Sequence, residues 1–268
     1  MNYIIETLPK KCSPKIKNAT LWSVWSFDRK VIKVIKVIKV IKVIKASNFL
    51  SKMESKELYF IRHGETAYNK RGIVQGSGID EPINETGSAQ ALAFFEHYQA
   101  ADFQLVMVSK LQRTRQTVQR FIDEGTPVLA DARLNEMSWG THEGQSPTPE
   151  MMERYRNMMA AWDADDFDAK LPEGESAREL KLRLTEFLEY LVKRPESKIL
   201  ICTHGRAIRC LCCLFNGNHL REMERHGHSN TGLFKVNWSS GGGFSIELKN
   251  DLRHLDSQKN VTAKNVTN

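Results

Sequence analysis

The sequence predicts an α/β fold, a three-layer sandwich in which a mostly parallel central sheet carries helices on both faces. Three continuous apolar runs, at 58–61, 105–108 and 199–202, are each followed by a segment with helical spacing. Such runs are typical of strands that are buried on both sides in a parallel sheet. Strands that alternate with helices favour this layered arrangement. We therefore expect functional residues beyond the carboxyl ends of the strands.

The remaining elements follow from spacing and from turn residues. After the first strand and a glycine-containing turn, a helix is predicted over 86–98, with Ala89, Leu92, Ala93 and Phe95 facing inward. The later segments, in chain order, are a strand at 105–108, a helix at 112–122, a strand at 127–129, a helix near 151–162, a helix starting at 172–176, a strand at 198–202, a helix at 206–215 and a hairpin at 230–248 that turns at 239–243.

The net charge of +7 is concentrated near the start of the chain. Residues 1–52 hold 12 Lys and Arg and two acidic residues, a net charge of +10, which leaves −3 for the rest. A mildly acidic body does not favour a nucleic-acid interface. No apolar run approaches the roughly 18 residues that suggest a membrane span. We expect neither nucleic acid nor membrane as a partner, and the oligomeric state stays open.

Residues 31–45 repeat Val-Ile-Lys five times. A period of three gives neither a helix nor a strand one continuous buried face, and β-branched residues disfavour a helix. Three interpretations are open: a basic arm that touches a membrane, a targeting segment, or a low-complexity tract before a true start at Met53. We favour the last of these. We expect the extension to be disordered in isolation and prone to aggregate. The domain hypothesis is an extension over 1–52, one catalytic domain over 53–256 and a polar tail over 257–268.

The five cysteines do not form a disulfide pattern, because their number is odd and three lie within positions 210–213. We expect Cys210, Cys212 and Cys213 to be small apolar side chains on a buried helix. This usage fits a reducing, cytoplasmic location.

Three strand ends carry side chains that suit a phosphoryl group. Arg62 and His63 end the first strand, Arg113 lies where the second strand leads into a helix, and His204 ends the strand at 198–202. Guanidinium groups match phosphate oxygens with forked donors, and helix starts add backbone N–H donors. If these strand ends converge, two histidines and two arginines meet in one cleft.

This set indicates phosphoryl transfer to a histidine. A neutral imidazole can act as a nucleophile, and flanking arginines lower the pKa of His63 by disfavouring its charged form. His204 can donate to the transferring oxygens, where charge builds. The leaving alkoxide needs a proton, and Glu136, after the third strand, is the best candidate because bound phosphate favours its protonated form.

Taken together, these motifs resemble the histidine phosphatase superfamily, also called the phosphoglycerate mutase-like family, over about residues 57–238. They occur in the family's order and are Arg62-His63-Gly64-Glu65-Thr66 with Asn69, the segment Ser109 to Thr117 with Arg113, Leu134-x-Glu136 with Gly140 and Glu143-Gly144, Gly174-Glu175-Ser176, and Thr203-His204-Gly205.

The resemblance implies the fold above and a role for each motif residue. His63 would be the phosphorylated nucleophile, Glu136 the proton donor and later the base, and His204 part of the phosphate pocket. The phosphate-binding residues that it implies are Arg62, Arg113, Asn69 and the backbone of Gly205. The family's chemistry needs no metal and no cofactor, so the expected partner is a small phosphorylated substrate.

Two chemistries stay open within this family. Transfer to water makes a phosphatase, whereas transfer to a phosphoglycerate makes a mutase that is primed by 2,3-bisphosphoglycerate. Three departures from the mutases favour hydrolysis: the stretch at 73–76 lacks their aromatic pattern, Arg206 stands where they carry Asn, and the insertion after the Glu136 region is shortened. A catalytically silent phosphate-binding protein is disfavoured, because the key residues are all present.

Three further side chains have two interpretations each. Arg206 either faces the pocket and selects an anionic substrate, or points to solvent or caps a neighbour. Trp139 and Trp162 either line the substrate mouth or pack in the core, and core packing is expected for at least one of them.

Overall fold

The computed structural model describes residues 38–42 and 55–256. Contacts divide the chain into two units, Met1–Leu50 and Ser51–Asn268. In the first unit, residues 38–42 form a short helix whose side chains are all exposed. The repeat therefore buries no face there, as its period predicts, yet it does form a helical turn, because β-branched residues cost under about 1 kcal/mol each in helix propensity. The other predictions for 1–52, and the tail 257–268, lie outside the described residues.

The second unit alternates strands with helices, as the sequence predicts. Its strands are β1 (Ser55–Arg62), β2 (Leu105–Val108), β3 (Val128–Ala130), β4 (Lys198–Thr203), β5 (Leu233–Ser239) and β6 (Gly243–Asp251). Its α-helices are α1 (Ala67–Arg71), α2 (Glu85–Tyr98), α3 (Gln112–Thr117), α4 (Gln119–Asp123), α5 (Pro149–Asp163), α6 (Ala177–Val192) and α7 (Gly205–Asn216). Short 3-10 turns lie at Gln99–Ala101, Ala132–Leu134, Gly140–His142, Leu220–Arg225 and Arg253–Leu255.

The strands form one six-stranded sheet in the order β3-β2-β4-β1-β5-β6. The pairs β1–β4, β2–β4 and β2–β3 are parallel, whereas β5 pairs antiparallel with β1 and with β6. The predicted, mostly parallel sheet and its terminal hairpin are both confirmed. The carboxyl ends of β1, β2 and β4 lie side by side, which is the edge where sites form in such sheets.

Two apolar cores lie on opposite faces of the sheet, so the three-layer prediction is confirmed. Leu58 and Phe60 of β1 belong to one core, which includes residues of α5, α6 and α7. Tyr59 and Ile61 belong to the other, which includes Phe94 of α2 and residues near α4. Alternate residues of a strand point to opposite faces, so one short apolar run supplies both cores.

Helix α6 forms as predicted. Ser176 caps its start, because the Ser176 hydroxyl accepts from the Glu179 N–H and the Glu179 carboxylate accepts from the Ser176 N–H. Such a reciprocal capping box satisfies donors that the first turn leaves unpaired. Its apolar residues at helical spacing, all of them buried, are Leu180, Leu184, Phe187, Leu188 and Leu191.

The structure confirms part of the inward face predicted for α2 and corrects the rest. Ala93 is buried and Phe95 packs against the core, as predicted, whereas Ala89 is exposed, Leu92 is 37% exposed, and Ala91 and Phe94 are buried instead. Apolar residues lie on more than one side of this helix, so spacing alone fits two faces. Packing against the sheet selects the face that carries Phe94.

The single helix predicted at 112–122 is two helices. Val118 interrupts it with φ −110° and ψ 12°, and α4 begins at the next residue. Val118 is fully buried, so its departure from helical geometry places an apolar side chain in the core. Sequence periodicity does not reveal a break of one residue.

The cysteine prediction is confirmed for the described residues. Cys202, Cys210, Cys212 and Cys213 are buried free thiols, and burial raises the pKa of the Cys212 thiol to about 12. Within 38–42 and 55–256, no helix is both long and apolar enough to cross a bilayer.

Candidate active site

The carboxyl ends of β1, β2 and β4 bring the predicted histidines together. Arg62 pairs with Thr203 across the parallel strands, and the His63 N–H donates to the Thr203 carbonyl at 3.0 Å. The rings of His63 and His204 therefore lie side by side, with centroids 5.1 Å apart. The convergence expected from the three strand ends is confirmed.

The His63 side chain is buried and holds a defined tautomer. Its Nδ1 lies 2.8 Å from the Gly64 carbonyl oxygen, and a carbonyl only accepts, so Nδ1 carries the hydrogen and Nε2 keeps a free lone pair. Burial lowers the pKa of His63 well below its ordinary value, and the charges of Arg62 and Arg113 lower it further. The ring is neutral at physiological pH and can act as a nucleophile.

The backbone at His63 is held by two asparagines. The Asn230 amide donates to the His63 carbonyl at 2.9 Å and to the Asn69 side-chain oxygen at 3.3 Å. Asn69 in turn belongs to a capping box with Thr66 at the start of α1. Asn69, which the sequence predicts to line the pocket, thus connects the His63 loop to the segment before β5.

His204 is enclosed by two polar partners. Its Nδ1 accepts from the Arg113 Nε at 3.2 Å, and its Nε2 lies 2.8 Å from the Ser109 hydroxyl. The accepting Nδ1 has no hydrogen, so Nε2 carries the ring's hydrogen and donates to Ser109. Burial and the charge of Arg113 lower the pKa of His204 well below its ordinary value. Donation to a phosphoryl oxygen therefore requires His204 to exchange Ser109 for that oxygen.

Arg113 is fully buried, and its other donors bind the backbone. Its Nη1 donates to the Ile79 carbonyl at 2.6 Å and its Nη2 to the Gly76 carbonyl at 3.3 Å. These contacts fix the segment at 76–79 over the site. Burial lowers the pKa of Arg113, yet the group stays cationic because an arginine titrates far above neutrality.

Glu136 is seated at the N-terminus of α7. Its carboxylate accepts from the backbone N–H groups of Arg206 and Ala207, both at 3.1 Å, and from its own neighbour Met137 at 3.0 Å. The positive end of the helix favours an anion at this point. The side chain is buried, and its carboxylate lies at the first turn of α7, the helix that begins with Gly205.

Arg183 of α6, which the sequence does not single out, anchors the Glu136 segment. Its guanidinium binds both oxygens of Glu175 at 2.6 and 2.8 Å. It also donates to the carbonyls of Arg133, Asn135 and Glu136 at 2.7, 2.9 and 3.2 Å. All five of its N–H donors are therefore used. Glu175 lies in the predicted Gly174-Glu175-Ser176 motif, and this contact explains what the motif does.

A charged cavity of about 210 Å³, which we call the phosphate cavity, is lined by Arg62 and Gly205, the chain neighbours of the two histidines, and not by His63 or His204 themselves. Its lining residues are Arg62, Glu136, Trp139, Tyr155, Gly205, Arg206, Arg209, Glu224 and His228. Three of the predicted site residues, Arg62, Glu136 and Gly205, thus line one space. The Nε atoms of Arg62 and Arg209 are buried without a partner among the described residues, so this cavity offers free donors to an anion.

The structure resolves the two interpretations of Arg206 in favour of the pocket wall. The side chain is buried, and its guanidinium pairs with Glu224 and donates to the Tyr155 hydroxyl oxygen at 3.0 Å. Its charge lies over the rings of Trp139 and Trp162, 5.3 and 5.6 Å from their centroids. Cation–π contacts of this kind hold a guanidinium in place.

The two tryptophans divide as expected. Trp139 lines the phosphate cavity. Trp162 is 1% exposed, and its indole N–H donates to the Ala169 carbonyl at 2.9 Å, so it is a core residue whose one face meets Arg206.

His228 is a pocket residue that the sequence analysis misses. A Cβ on Gly205 would lie 2.6 Å from the His228 ring, so the ring rests against the start of α7 and requires glycine there. Burial is the main cause that lowers the pKa of His228 to about 3, and the positive charge of Arg62 is the second. No local pattern marks this histidine, because it reaches the site only through the fold of the segment after Leu220–Arg225. Within 38–42 and 55–256, no group of three His, Cys, Asp or Glu is placed to hold a metal ion.

Comparison with known proteins identifies the family. The chain is 34% identical over 211 residues to "Probable phosphoglycerate mutase GpmB" of Serratia proteamaculans, covering 75% of this chain and 95% of that protein. Its fold is similar to the α-ribazole phosphatase of Shigella flexneri, with a TM-score of 0.65, 24% identity, and coverage of 73% and 96%. It is also similar to a phosphoserine phosphatase of Entamoeba histolytica, with a TM-score of 0.65, 21% identity, and coverage of 75% and 99%.

The family model for the histidine phosphatase superfamily, branch 1, matches residues 58–252. This range contains every predicted site residue and the whole of the sheet after the first positions of β1. Members of this superfamily are phosphatases or phosphoglycerate mutase-like phosphotransferases. The chain belongs to branch 1 of the histidine phosphatase superfamily.

Proposed function

We propose that this protein hydrolyses phosphate monoesters of small metabolites through a phosphohistidine on His63. One observation carries the proposal: a buried, neutral His63 with a free Nε2 directly follows Arg62, which lines a charged cavity together with Glu136. A nucleophile, a cation for the phosphate and a carboxyl group for the proton are the three components that such a transfer needs.

The reaction has two steps. In the first, His63 Nε2 attacks phosphorus, the bond from phosphorus to the alcohol oxygen breaks, and protonated Glu136 gives its proton to that oxygen. In the second, Glu136 takes a proton from water, the resulting hydroxide attacks the phosphohistidine, and the P–N bond breaks to release phosphate. Each step reverses the protonation state of Glu136, so the enzyme is restored.

Charge stabilisation comes from the residues around this path. Arg62 carries its positive charge into the cavity, since burial lowers its pKa only to about 10. Arg113 holds His204, the histidine beside the nucleophile, and Gly205 at the start of α7 lines the cavity. Donors that are fixed before the reaction stabilise the charge that develops in transit.

Hydrolysis is favoured over mutase chemistry. Phosphoglycerate mutase activity is the second candidate, because a relative is named as a probable phosphoglycerate mutase. The guanidinium of Arg206, at the position where the mutases carry Asn, is bound to Glu224 and Tyr155. The segment at 73–76 lacks the aromatic pattern of the mutases. Both features support water as the acceptor of the phosphoryl group.

We further propose that the catalytic domain spans 53–256, with 1–52 and 257–268 outside it, and that the protein acts in the cytoplasm without nucleic-acid or membrane partners. The four buried free thiols in the described part of the chain support a reducing compartment. The net charge outside residues 1–52 is −3, and a negative charge repels a polyanion such as nucleic acid.

The test uses the full chain and the variant 53–268, each with His63→Ala as control. We offer 3-phosphoglycerate with and without 2,3-bisphosphoglycerate, and a generic aryl phosphate, in the presence of a metal chelator. Phosphate release that survives the chelator and disappears with His63→Ala supports the proposal. Production of 2-phosphoglycerate that depends on bisphosphoglycerate would establish the mutase, and equal phosphate release by His63→Ala would remove His63 from the mechanism.

A further inference from the structure

A second cavity, of about 320 Å³, lies beside the phosphate cavity, and we call it the apolar cavity. Its lining residues are Val74, Gln75, Trp139, His142, Pro147, Met151, Met152, Tyr155 and Leu171. Cavities lined mainly by apolar and aromatic side chains with a few polar atoms are typical of small-molecule sites. An apolar cavity of roughly 150 Å³ holds one benzene ring, so this one has room for a two-ring group.

The two cavities share a wall. Trp139 and Tyr155 line both of them, and their rings lie 5.9 Å apart at a tilt of 59°. A molecule whose phosphate lies between Arg62 and Glu136 therefore has its other end directed past this aromatic pair. The apolar cavity is the space that borders the phosphate cavity at this shared wall.

Two polar atoms in the lining of the apolar cavity have no partner among the described residues. The Gln75 amide donates to the Thr66 hydroxyl at 2.6 Å, which leaves its Oε1 buried and unpaired. His142 is 4% exposed, and its Nε2 lies 3.2 Å from the Met151 carbonyl, so in the neutral ring Nε2 donates and Nδ1 is a buried acceptor without a donor. Buried acceptors are normally satisfied, and each unpaired one indicates a missing partner.

We propose that the apolar cavity binds the alcohol part of the substrate, and that this part is a ring-bearing apolar group with at least one O–H or N–H donor for Gln75 or His142. The inference rests on the hydrolase function proposed above and names its substrate class. The phosphate end is selected by charge at Arg62, and the other end by apolar burial and by one or two hydrogen bonds.

The first experiment compares esters whose alcohols are similarly poor leaving groups, namely ethyl phosphate, 2-naphthylmethyl phosphate and a hydroxylated 2-naphthylmethyl phosphate. Burial of the ring system raises kcat/KM for the naphthylmethyl ester about 10- to 100-fold above ethyl phosphate. A hydroxyl that reaches His142 or Gln75 adds a further increase of about 2- to 10-fold.

Near-isosteric variants then locate the effect. Met151→Gln and Met152→Gln keep side-chain length and helix propensity but lose apolar character, so each lowers the naphthylmethyl preference about 3- to 10-fold and leaves ethyl phosphate unchanged. His142→Gln keeps a donor for the Met151 carbonyl, and it removes the advantage of the hydroxylated ester alone when that hydroxyl reaches His142 and not Gln75. Leu182→Gln is the matched control, because Leu182 is 58% exposed on α6 and lines neither cavity.

A binding measurement keeps the test independent of turnover. The alcohol 2-naphthylmethanol binds to the His63→Ala variant and changes the fluorescence of Trp139, and Met152→Gln weakens that binding. Equal kcat/KM for ethyl and naphthylmethyl phosphate, or failure of the alcohol to bind, overturns the inference while leaving the hydrolase intact. Absence of phosphate release from all three esters contradicts the hydrolase proposal instead.

Discussion

Replacement of Arg183 by methionine separates the positioning of Glu136 from the rest of the reaction. Arg183 uses all five donors, two on Glu175 and three on backbone carbonyls that include Glu136 itself. The Arg183 and Glu175 side chains are 20% and 16% exposed. Breaking a buried pair costs about 3–5 kcal/mol, and this partial exposure reduces the expected loss of stability to about 2–3 kcal/mol. A typical domain stays folded after such a loss.

The effect on activity depends on the leaving group. Without its anchor the Glu136 carboxyl group shifts, and a displacement of about 1 Å can cost roughly 100-fold in rate. An alkyl alcohol needs the proton of Glu136 as it leaves, whereas a nitrophenolate is stable as an anion and leaves without it. We expect Arg183→Met to lower kcat/KM for an alkyl phosphate about 100-fold and to change it little for nitrophenyl phosphate.

The assay is kcat/KM for both esters, because this constant reports on steps up to formation of the phosphohistidine and excludes its hydrolysis. Arg178→Met is the matched control, since Arg178 lies on the same helix but is 52% exposed, and its ion pair is with the exposed Asp168. Glu136→Gln should reproduce the dependence on the leaving group. An equal loss for both esters with Arg183→Met, or no loss at all, would refute the positioning role.

Two further outcomes are expected. Asn230→Ala removes the 2.9 Å bond to the His63 carbonyl, so phosphohistidine formation in a single-turnover assay should slow about 10-fold with little change in KM; an unchanged rate would show that the loop needs no such support. Stability should fall at acid pH, because burial holds the pKa values of His63 and His204 below that of the unfolded chain. The unfolded state then binds protons that the native state does not, and the loss begins as pH falls below about 6.5 and is on the order of 1 kcal/mol per histidine at pH 5.5. Chemical denaturation at pH 7.5 and 5.5 measures it, and His63→Gln should remove about half of the difference that the two histidines make.

Much of the fold follows from local pattern. The strands, the hairpin and the buried face of α6 are visible in the sequence because they depend on residues within a few positions of one another. The same holds for the motif residues at strand ends, since parallel strands place their carboxyl ends at one edge. Helix α2 shows the limit, because Leu92 and Phe94 fit two equally good faces and only the sheet selects Phe94.

The partners of the site residues were not visible in the same way. His204 is hydrogen-bonded to Ser109, which lies 95 positions away in the chain, and Asn230 donates to the His63 carbonyl from 167 positions away. The sequence pattern predicts Arg183 to be a solvent-facing charge, because it lies between the apolar positions of a helix. No residue near it in the sequence indicates that it anchors Glu136. Such contacts are chosen by packing between distant segments, which spacing along the chain does not encode.

By itself, therefore, the sequence determined the layered α/β architecture, the histidine phosphatase family and the set of residues that meet at the carboxyl edge of the sheet. Only the tertiary structure decided that Nε2 of His63 is the free nitrogen, that Arg206 is bound to Glu224 and Tyr155, and that an apolar cavity shares the wall of Trp139 and Tyr155 with the phosphate cavity. The physical reason is that residue types fix which interactions are possible, whereas the folded chain fixes which donor meets which acceptor and what space is left between them.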